Sequence, residues 1–126
     1  MTKTIISCGP TEAMTHALAL MNRVKHRTIP VLGDEGKLLG FLKYRDGIKA
    51  VQDNKGAQQV KAWMRREFVT VQRETPFTEL EHLLIRIDAT GRAYVVDDDK
   101  RLLGIVSRTD LLRQHKHYEG MQRRVA

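Results

Sequence analysis

The chain carries two copies of one sequence pattern, and this duplication constrains its fold more than any other feature. Residues 36–46 resemble residues 100–110, and the matching glycines Gly40 and Gly104 lie 64 positions apart. The same spacing relates the two copies from the start of each half to its last helix, without a gap. Because self-similarity at a fixed period indicates repeated structural units, the sequence predicts two equivalent halves.

Each half has the same predicted order of elements, β-α-β-β-α. Apolar residues at helical spacing predict one helix from Met14 to Val24 and another from Leu80 to Ile87, and Thr75 with Pro76 is typical of a helix start. Polar turns separate the later strands. The other predicted elements are strands at 4–7, 28–32 and 37–42 and a helix at 44–52, repeated as strands at 68–71, 92–96 and 101–106 and a helix at 108–117.

Neither half is expected to be stable alone, because a unit of about 60 residues buries little apolar surface. We therefore expect an α/β (α+β) fold in which two β-α-β-β-α repeats pack about a pseudo-twofold axis. That packing creates two equivalent clefts between the halves. Residues 53–59 are the predicted linker, followed by a short helical piece at 60–66.

Charge and composition limit the possible environments and partners. The net charge is +7, and basic residues concentrate in the middle of the chain and near its end, which is compatible with anionic ligands, nucleic acid or solvated faces. No apolar run approaches the roughly 20 residues that span a bilayer. The stretch at the N-terminus is too short for the apolar region of a signal sequence. Cys8 is the only cysteine, so no internal disulfide forms. We expect a cytoplasmic protein without a membrane partner.

The duplicated motif resembles a known family. An apolar-Pro-Val element at residues 29–31 precedes a turn, and residues 104–110 read Gly, two apolar residues, Ser107, two residues and Asp110. This pattern, present twice over about residues 4–117, resembles the tandem pair of cystathionine-β-synthase-type (CBS) domains, or Bateman module.

The resemblance implies a non-catalytic regulatory module that binds an adenine nucleotide (AMP, ADP or ATP) in the clefts, forms a homodimer and needs no metal. It implies a first repeat at residues 1–52, a linker with a short helix at 53–66, a second repeat at 67–117 and a basic tail at 118–126. Two alternatives stay open: a dimerisation scaffold whose clefts are empty, and a basic surface that seats RNA for an attached enzyme.

A narrower resemblance concerns the parent protein. Residues 60–65, Arg92 with the glycine before it, and residues 107–113 look like the CBS pair of bacterial tRNA nucleotidyltransferase/poly(A) polymerase proteins. This implies a regulatory segment attached to a catalytic domain in a longer chain.

The second copy supplies the clearer candidate site. Ser107 and Asp110 are three positions apart and face the same way on a first helical turn. The two carboxylate oxygens of Asp110 suit the two hydroxyls of a ribose, and Ser107 can reach ribose or phosphate. The resemblance implies a phosphate contact from Arg92 and an adenine slot between Ile105 and Ile6. The alternative is that Ser107 and Asp110 form a capping box that only stabilises their helix.

The first copy departs from the pattern. Asp46 is kept, but Lys43 replaces the serine, and Thr28 occupies the place of Arg92. Lys43 could contact a phosphate from another direction, or it could pair with Asp46. Thr70, the equivalent of Ile6, completes the predicted set of nucleotide-binding residues.

Three other features receive a structural interpretation. Cys8 has no partner in sequence that indicates a nucleophile, and the acidic residues 97–99 fit a solvated hairpin turn better than a cation site. His115 and His117 point in different directions on a helix and make a poor metal pair. No phosphate-binding glycine loop or catalytic triad pattern is present in the sequence.

Overall fold

The chain forms two β-hairpins, one in each half of the sequence, and two helices pack on each other beside the first of them. The structure, a computed structural model, describes residues 5–76, 79, 82 and 92–107. Its helices and strands are α1 (Met14–Val24), β1 (Thr28–Leu32), β2 (Leu38–Lys43), α2 (Tyr44–Gln52), β3 (Val69–Val71), β4 (Arg92–Val96) and β5 (Leu102–Ser107), with 3-10 turns at Asp34–Gly36 and Val60–Ala62.

The sequence predicted most of these boundaries. The strands β1 and β4 and the helix α2 have the predicted limits, while β2 and β5 each begin and end one residue later than predicted. Of the second predicted helix, only Glu79 and His82 are described, and both are helical. The predicted helix at 108–117 and the tail at 118–126 lie outside the described residues.

The predicted strand at residues 4–7 is wrong over the part that the structure describes. Residues 5–7 lie in no strand, and only Cys8 makes an isolated parallel bridge, to Val31. The Cys8 amide donates to the Pro30 carbonyl at 3.1 Å, and the Leu32 amide donates to the Cys8 carbonyl at 2.9 Å. The next rung of this parallel ladder would need the amide of residue 30 to donate to the Ile6 carbonyl. Because proline has no N–H, the ladder stops at Cys8.

The two hairpins are equivalent at a spacing of 64 residues. Thr28 pairs with Lys43 in the first hairpin, and Arg92 pairs with Ser107 in the second. Both registers shift at the matching place, before the last residue of β1 and before the last residue of β4. The segments at the start of each half depart from this spacing by one residue. Cys8 bridges to Val31, whereas Val71 of β3 pairs with Val95, the counterpart of Val31. The duplication in sequence is therefore a duplication of structure, with a local shift at the start of each half.

Equivalent residues meet where the repeats contact each other. Lys37 forms an antiparallel bridge with Arg101, which is its own counterpart 64 positions later. The Leu38 amide also donates to the carbonyl of Lys100 at 3.0 Å. Two copies of one position touch only near an axis that exchanges the repeats. The predicted pseudo-twofold axis therefore passes between these two residues.

Within the residues that the structure describes, buried apolar residues form three clusters, one in each repeat and one between them. Between the repeats, Phe41 and Tyr94 are buried with ring centroids 6.4 Å apart, and the Phe68 ring meets Tyr94 edge to face. This shared part explains why neither half needs to be stable alone. The buried residues of the first-repeat core are Cys8, Met14, Ala17, Met21, Ile29, Val31, Leu42, Ala50 and Val60, and those of the second are Val71, Ala93, Val95 and Val106.

The linker contains less helix than predicted. Only Val60–Ala62 forms a 3-10 turn, and the predicted helix to residue 66 is wrong beyond that turn. The amide and carbonyl of Arg65 instead pair with the carbonyl and amide of Phe41, at 2.8 and 2.9 Å. This pairing on the edge of β2 draws the backbone out of the helical path. Within the described residues, no helix has the length and apolar character needed to cross a membrane.

Candidate functional site

The end of β2 and the first turn of α2 carry the candidate residues of the first repeat. Lys43 ends β2, is half-buried, and precedes α2 as its N-cap residue with an extended backbone. Its side chain makes no capping hydrogen bond, as expected for an ammonium group that has no acceptor. Asp46 lies in the first turn of α2. The capping-box alternative therefore does not apply at the lysine of this repeat.

The Asp46 carboxylate is bound by a residue of the linker. Arg65 Nε donates to Asp46 Oδ2 at 3.0 Å, and Arg65 Nη2 donates to Oδ1 at 3.3 Å. This two-point geometry is the strong form of a carboxylate–guanidinium pair. The Asp46 side chain is 18% exposed and that of Arg65 is 42% exposed, so the pair lies at the protein surface. The sequence offered Lys43 as a partner for this carboxylate, and the structure places Arg65 there.

A cavity of about 490 Å³ opens beside this ion pair. Four of its lining residues are basic and one is acidic, so its walls carry an excess of positive charge. An anionic group would be attracted to such a cavity, while a cation would be repelled. The lining residues are Phe41, Lys43, Arg45, Met64, Arg65, Arg66 and Glu67.

The sequence did not single out the linker residues of this cavity as site residues. Both Arg65 and Arg66 belong to the basic stretch in the middle of the chain, and Arg65 also ends the run 60–65 of the narrower resemblance, but neither was predicted to be a site residue. Their role depends on the course of the backbone after the 3-10 turn, which brings Arg65 against Phe41. The available signal was Gly40, because a Cβ atom there would overlap the carbonyl oxygen of Arg65.

In the second repeat the structure describes part of the candidate site. Ser107 is half-buried at the end of β5, opposite Arg92 at the start of β4. Arg92 Nη1 donates to the carbonyl oxygen of Thr28 at 3.1 Å, which uses one of its five N–H groups. Asp110 lies outside the described residues. The choice between ribose binding and helix capping at Ser107 and Asp110 stays a prediction.

The three remaining candidates lie in different surroundings. Ile6 packs against the core of the first repeat, and Ile105 packs against the cluster between the repeats. Thr70 is exposed in the middle of β3, where it pairs with Tyr94. The structure therefore places Ile6 and Ile105 against separate apolar clusters. The adenine slot between them stays a prediction.

Two features given a structural interpretation have clear surroundings. Asp97 Oδ1 accepts hydrogen bonds from the amides of Asp99 and Arg101, both at 2.9 Å, which closes the turn between β4 and β5. Burial raises the pKa of the Cys8 thiol from 9.0 to about 12, and the nearby Glu12 carboxylate adds to the rise. A thiol with such a pKa is a poor nucleophile at neutral pH.

Fold and site together define a class of protein. Two hairpin-containing repeats, joined about a pseudo-twofold axis and with a cation-rich cavity beside the first, form a paired-repeat α/β domain. A sequence model of the CBS domain matches residues 1–53 and 60–117. The chain belongs to the CBS-domain family, as a tandem pair of repeats.

Known relatives contain this pair as one part of longer proteins. An inosine-5'-monophosphate dehydrogenase of Methanocaldococcus jannaschii is 29% identical over 115 residues, which is 91% of this chain and 22% of the dehydrogenase. An A-adding tRNA nucleotidyltransferase of Geobacter sulfurreducens is 28% identical over 123 residues, 98% of this chain and 13% of that enzyme. The chain thus spans less than a quarter of either relative.

Solved structures share the fold. Staphylococcus aureus OpuCA superposes with a TM-score of 0.77 at 23% identity, over 91% of this chain and 95% of that one. CBSX2 of Arabidopsis thaliana, in complex with AMP, gives 0.69 at 23% identity over 91% and 90%. The CBS pair of MJ0100, in complex with 5'-methylthioadenosine and S-adenosyl-L-methionine, gives 0.69 at 23% identity over 94% and 93%.

Proposed function

We propose that this protein is a non-catalytic regulatory module that binds an adenosine-containing nucleotide in the clefts between its two repeats. The observation that carries the proposal is the first cleft, where a carboxylate suited to a ribose diol lies beside a cavity lined with cations. Asp46 supplies the carboxylate, and Lys43, Arg45 and Arg66 supply positive charge for phosphate. The complexes of CBSX2 with AMP and of MJ0100 with adenosine compounds support adenosine as the common part of the ligand.

The second cleft takes the same ligand in this proposal. Asp110 binds the ribose, Ser107 the ribose or phosphate, and Arg92 the phosphate. Among the described residues, the bond to Thr28 uses only Nη1 of Arg92, so its other N–H groups can serve the phosphate. Regulation then requires that the nucleotide binds two arrangements of the repeats with different affinity.

A calorimetric titration with AMP, ADP, ATP and GTP tests the proposal. Asp46→Asn and Asp110→Asn each remove one carboxylate, and Asp53→Asn, at the exposed end of α2, is the matched control. Losing charged hydrogen bonds worth about 1.5–3 kcal/mol should weaken binding about 10–100-fold at the altered cleft. 2',3'-Dideoxy-AMP has no diol, so it should bind the wild-type protein as weakly as AMP binds the altered cleft. Neither substitution should change its affinity. Equal binding of AMP and its dideoxy analogue to the wild-type protein would contradict the ribose assignment.

One observation favours a second candidate, a scaffold whose clefts stay empty. The Asp46 carboxylate already has a two-point partner in Arg65. In a scaffold this ion pair is purely structural, and the protein dimerises through its helices. The same titration separates the candidates, because a scaffold shows no heat with any of the four nucleotides.

The parent protein is a separate proposal. The match to the A-adding tRNA nucleotidyltransferase covers 98% of this chain, which favours a regulatory segment of an enzyme of that class. Sequencing the coding region beyond Ala126 tests this directly. A nucleotidyltransferase domain in the same reading frame supports the assignment, and any other domain contradicts it.

A further inference from the structure

The backbone of Arg65 is held at the edge of β2. Its amide donates to the Phe41 carbonyl at 2.8 Å, and its carbonyl accepts from the Phe41 amide at 2.9 Å. Gly40 permits this close approach, because a Cβ atom at that position would overlap the Arg65 carbonyl oxygen. The linker is therefore joined to the first repeat at the residue whose side chain contacts Asp46.

Two hydrogen bonds hold the Asp46 carboxylate in one orientation. Arg65 Nε donates to Oδ2 at 3.0 Å, and Nη2 donates to Oδ1 at 3.3 Å. Rotation of the carboxylate would break both bonds, because the guanidinium is planar and its donors have a fixed spacing. Since the Arg65 backbone is itself paired with β2, the group that orients the carboxylate is anchored independently of any ligand.

The paired carboxylate keeps acceptor capacity for a ligand. An ionised carboxylate has about four acceptor sites on its two oxygens, and these two bonds from Arg65 use one on each. One site on each oxygen remains, which matches the two hydroxyls of a ribose. The Asp46 side chain is 18% exposed and lies beside the cavity that Arg65 lines. Arg65 and a ribose can therefore bind the same carboxylate at once.

A binding group that is already oriented gives a ligand more affinity than one that is free to rotate. A free side chain loses its rotational freedom when the ligand binds, whereas a side chain that is already held loses little. We propose that Arg65 is a positioning residue of the first cleft, which holds the Asp46 carboxylate in the orientation that receives a ribose diol. This inference rests on the proposed nucleotide-binding function and deepens it, because it adds a linker residue to the ribose site.

The readout of the test is the preference for AMP over 2',3'-dideoxy-AMP, taken as the ratio of their dissociation constants. These ligands differ only in the diol, so changes in phosphate contacts or in overall charge cancel in the ratio. Every protein compared carries Asp110→Asn, which removes the carboxylate proposed to bind ribose in the second cleft. Calorimetric titration of this background protein and its variants then reports the diol preference of the first cleft.

Arg65→Met removes both donors and keeps a side chain of similar length. The preference for AMP should fall about 2–10-fold, because the ribose itself must then order the carboxylate. With Asp46→Asn also present, the same substitution should leave the preference unchanged, since Arg65 acts through that carboxylate. An unchanged or increased preference in Arg65→Met alone overturns the inference, as does a further fall in the presence of Asp46→Asn.

Arg66→Met is the matched control. Arg66 lines the same cavity and carries the same charge, but its Nη2 donates to the Lys61 carbonyl at 3.5 Å. Its loss should weaken AMP and dideoxy-AMP by the same factor, because both ligands carry the phosphate. A fall in preference as large as that of Arg65→Met would mean that loss of charge alone is responsible. That result contradicts a positioning role.

A conservative variant covers the case in which Arg65→Met unfolds. Arg65→Lys keeps the positive charge but has no two-point geometry for Asp46, so it should also show a lowered preference. A fully retained preference would contradict the inference, because charge without geometry would then be sufficient.

The failure of this inference is distinct from the failure of the proposed function. In each contradicting result above, AMP still binds the unmodified protein and the nucleotide-binding function stands. If Asp110→Asn abolishes AMP binding, the first cleft is not a nucleotide site and the inference fails with it. Absence of AMP binding to the unmodified protein overturns the nucleotide-binding function itself.

Discussion

Arg92 donates a hydrogen bond to the carbonyl oxygen of Thr28, the residue that occupies the same place in the other repeat. The Nη1–O distance is 3.1 Å, and the two residues are 64 positions apart. Lys37 and Arg101, also counterparts, form a backbone bridge. Side chain and backbone thus join equivalent positions near one axis. Thr28 has no guanidinium with which to return this bond, so the contact makes the pair of repeats asymmetric.

We expect Arg92→Leu to destabilise the contact between the repeats. It leaves the carbonyl of the buried Thr28 without this donor, which should lower the free energy of unfolding by about 1–3 kcal/mol. Urea unfolding measures the change. Arg73→Leu, at an exposed position in the turn after β3, is the control and should be within about 0.5 kcal/mol of wild type. Equal losses in the two variants would contradict a structural role for Arg92.

Gly40→Ala should separate the linker from β2. The new Cβ would overlap the Arg65 carbonyl, which is backbone and cannot rotate away. Overpacking of this kind costs about 1–3 kcal/mol in the free energy of unfolding, measured by urea titration. It should also expose Trp63 to solvent and shift its fluorescence to longer wavelength. Gly9→Ala, whose Cβ would meet Glu12 Oε2 at an ordinary 3.5 Å, should change neither property.

The turn between β1 and β2 has a glycine at its position of positive φ, whereas the corresponding turn of the second repeat has a lysine there. Gly36 has φ of 79° and Lys100, 64 positions later, has φ of 69°. Gly36→Ala should lower the free energy of unfolding by about 1 kcal/mol, because a Cβ is strained at positive φ even where space is open. Lys100→Gly should not destabilise. Thermal unfolding of both variants provides the comparison, and a destabilised Lys100→Gly with a neutral Gly36→Ala would refute the argument.

The Cys8 thiol should make stability fall at alkaline pH. Burial raises its pKa from 9.0 to about 12, so between these values the native state holds a proton that the unfolded chain releases. Its stabilising contribution is complete below pH 9 and is lost as pH rises towards 12. From pH 7 to pH 10 the wild type should lose roughly 1 kcal/mol more than Cys8→Ala, which has no titrating group there. Urea unfolding at the two pH values measures this difference, and equal losses would show that the thiol titrates normally.

Much of the fold follows from local patterns. The limits of β1, β4 and α2 could be predicted because alternation, helical spacing and turn residues act within a few positions of one another. The exception at residues 5–7 has a local cause that the sequence also contains, since Pro30 removes the amide that a longer ladder needs. The short linker helix could not be predicted this way, because its end is imposed by pairing with Phe41.

The candidate site was likewise predicted only in part from the sequence. Asp46 and Lys43 were identified as the first-copy counterparts of Asp110 and Ser107, and the structure places both at the start of α2. Arg65 was not identified, because it lies 19 residues from Asp46 and reaches it only after the chain has returned along β2. No periodicity encodes such a contact. Its existence depends on the path of the linker.

The duplicated α/β unit and the limits of most of its described strands and helices follow from the sequence alone, because a repeat and its periodicity are properties of neighbouring residues. The partners of the charged side chains follow only from the tertiary structure. In the structure Asp46 pairs with Arg65, and Arg92 donates to the Thr28 carbonyl. The members of each pair come together only when the two repeats and the linker pack. Partner choice among charged groups depends on distance and geometry in space, and those are set by the packing of the whole domain.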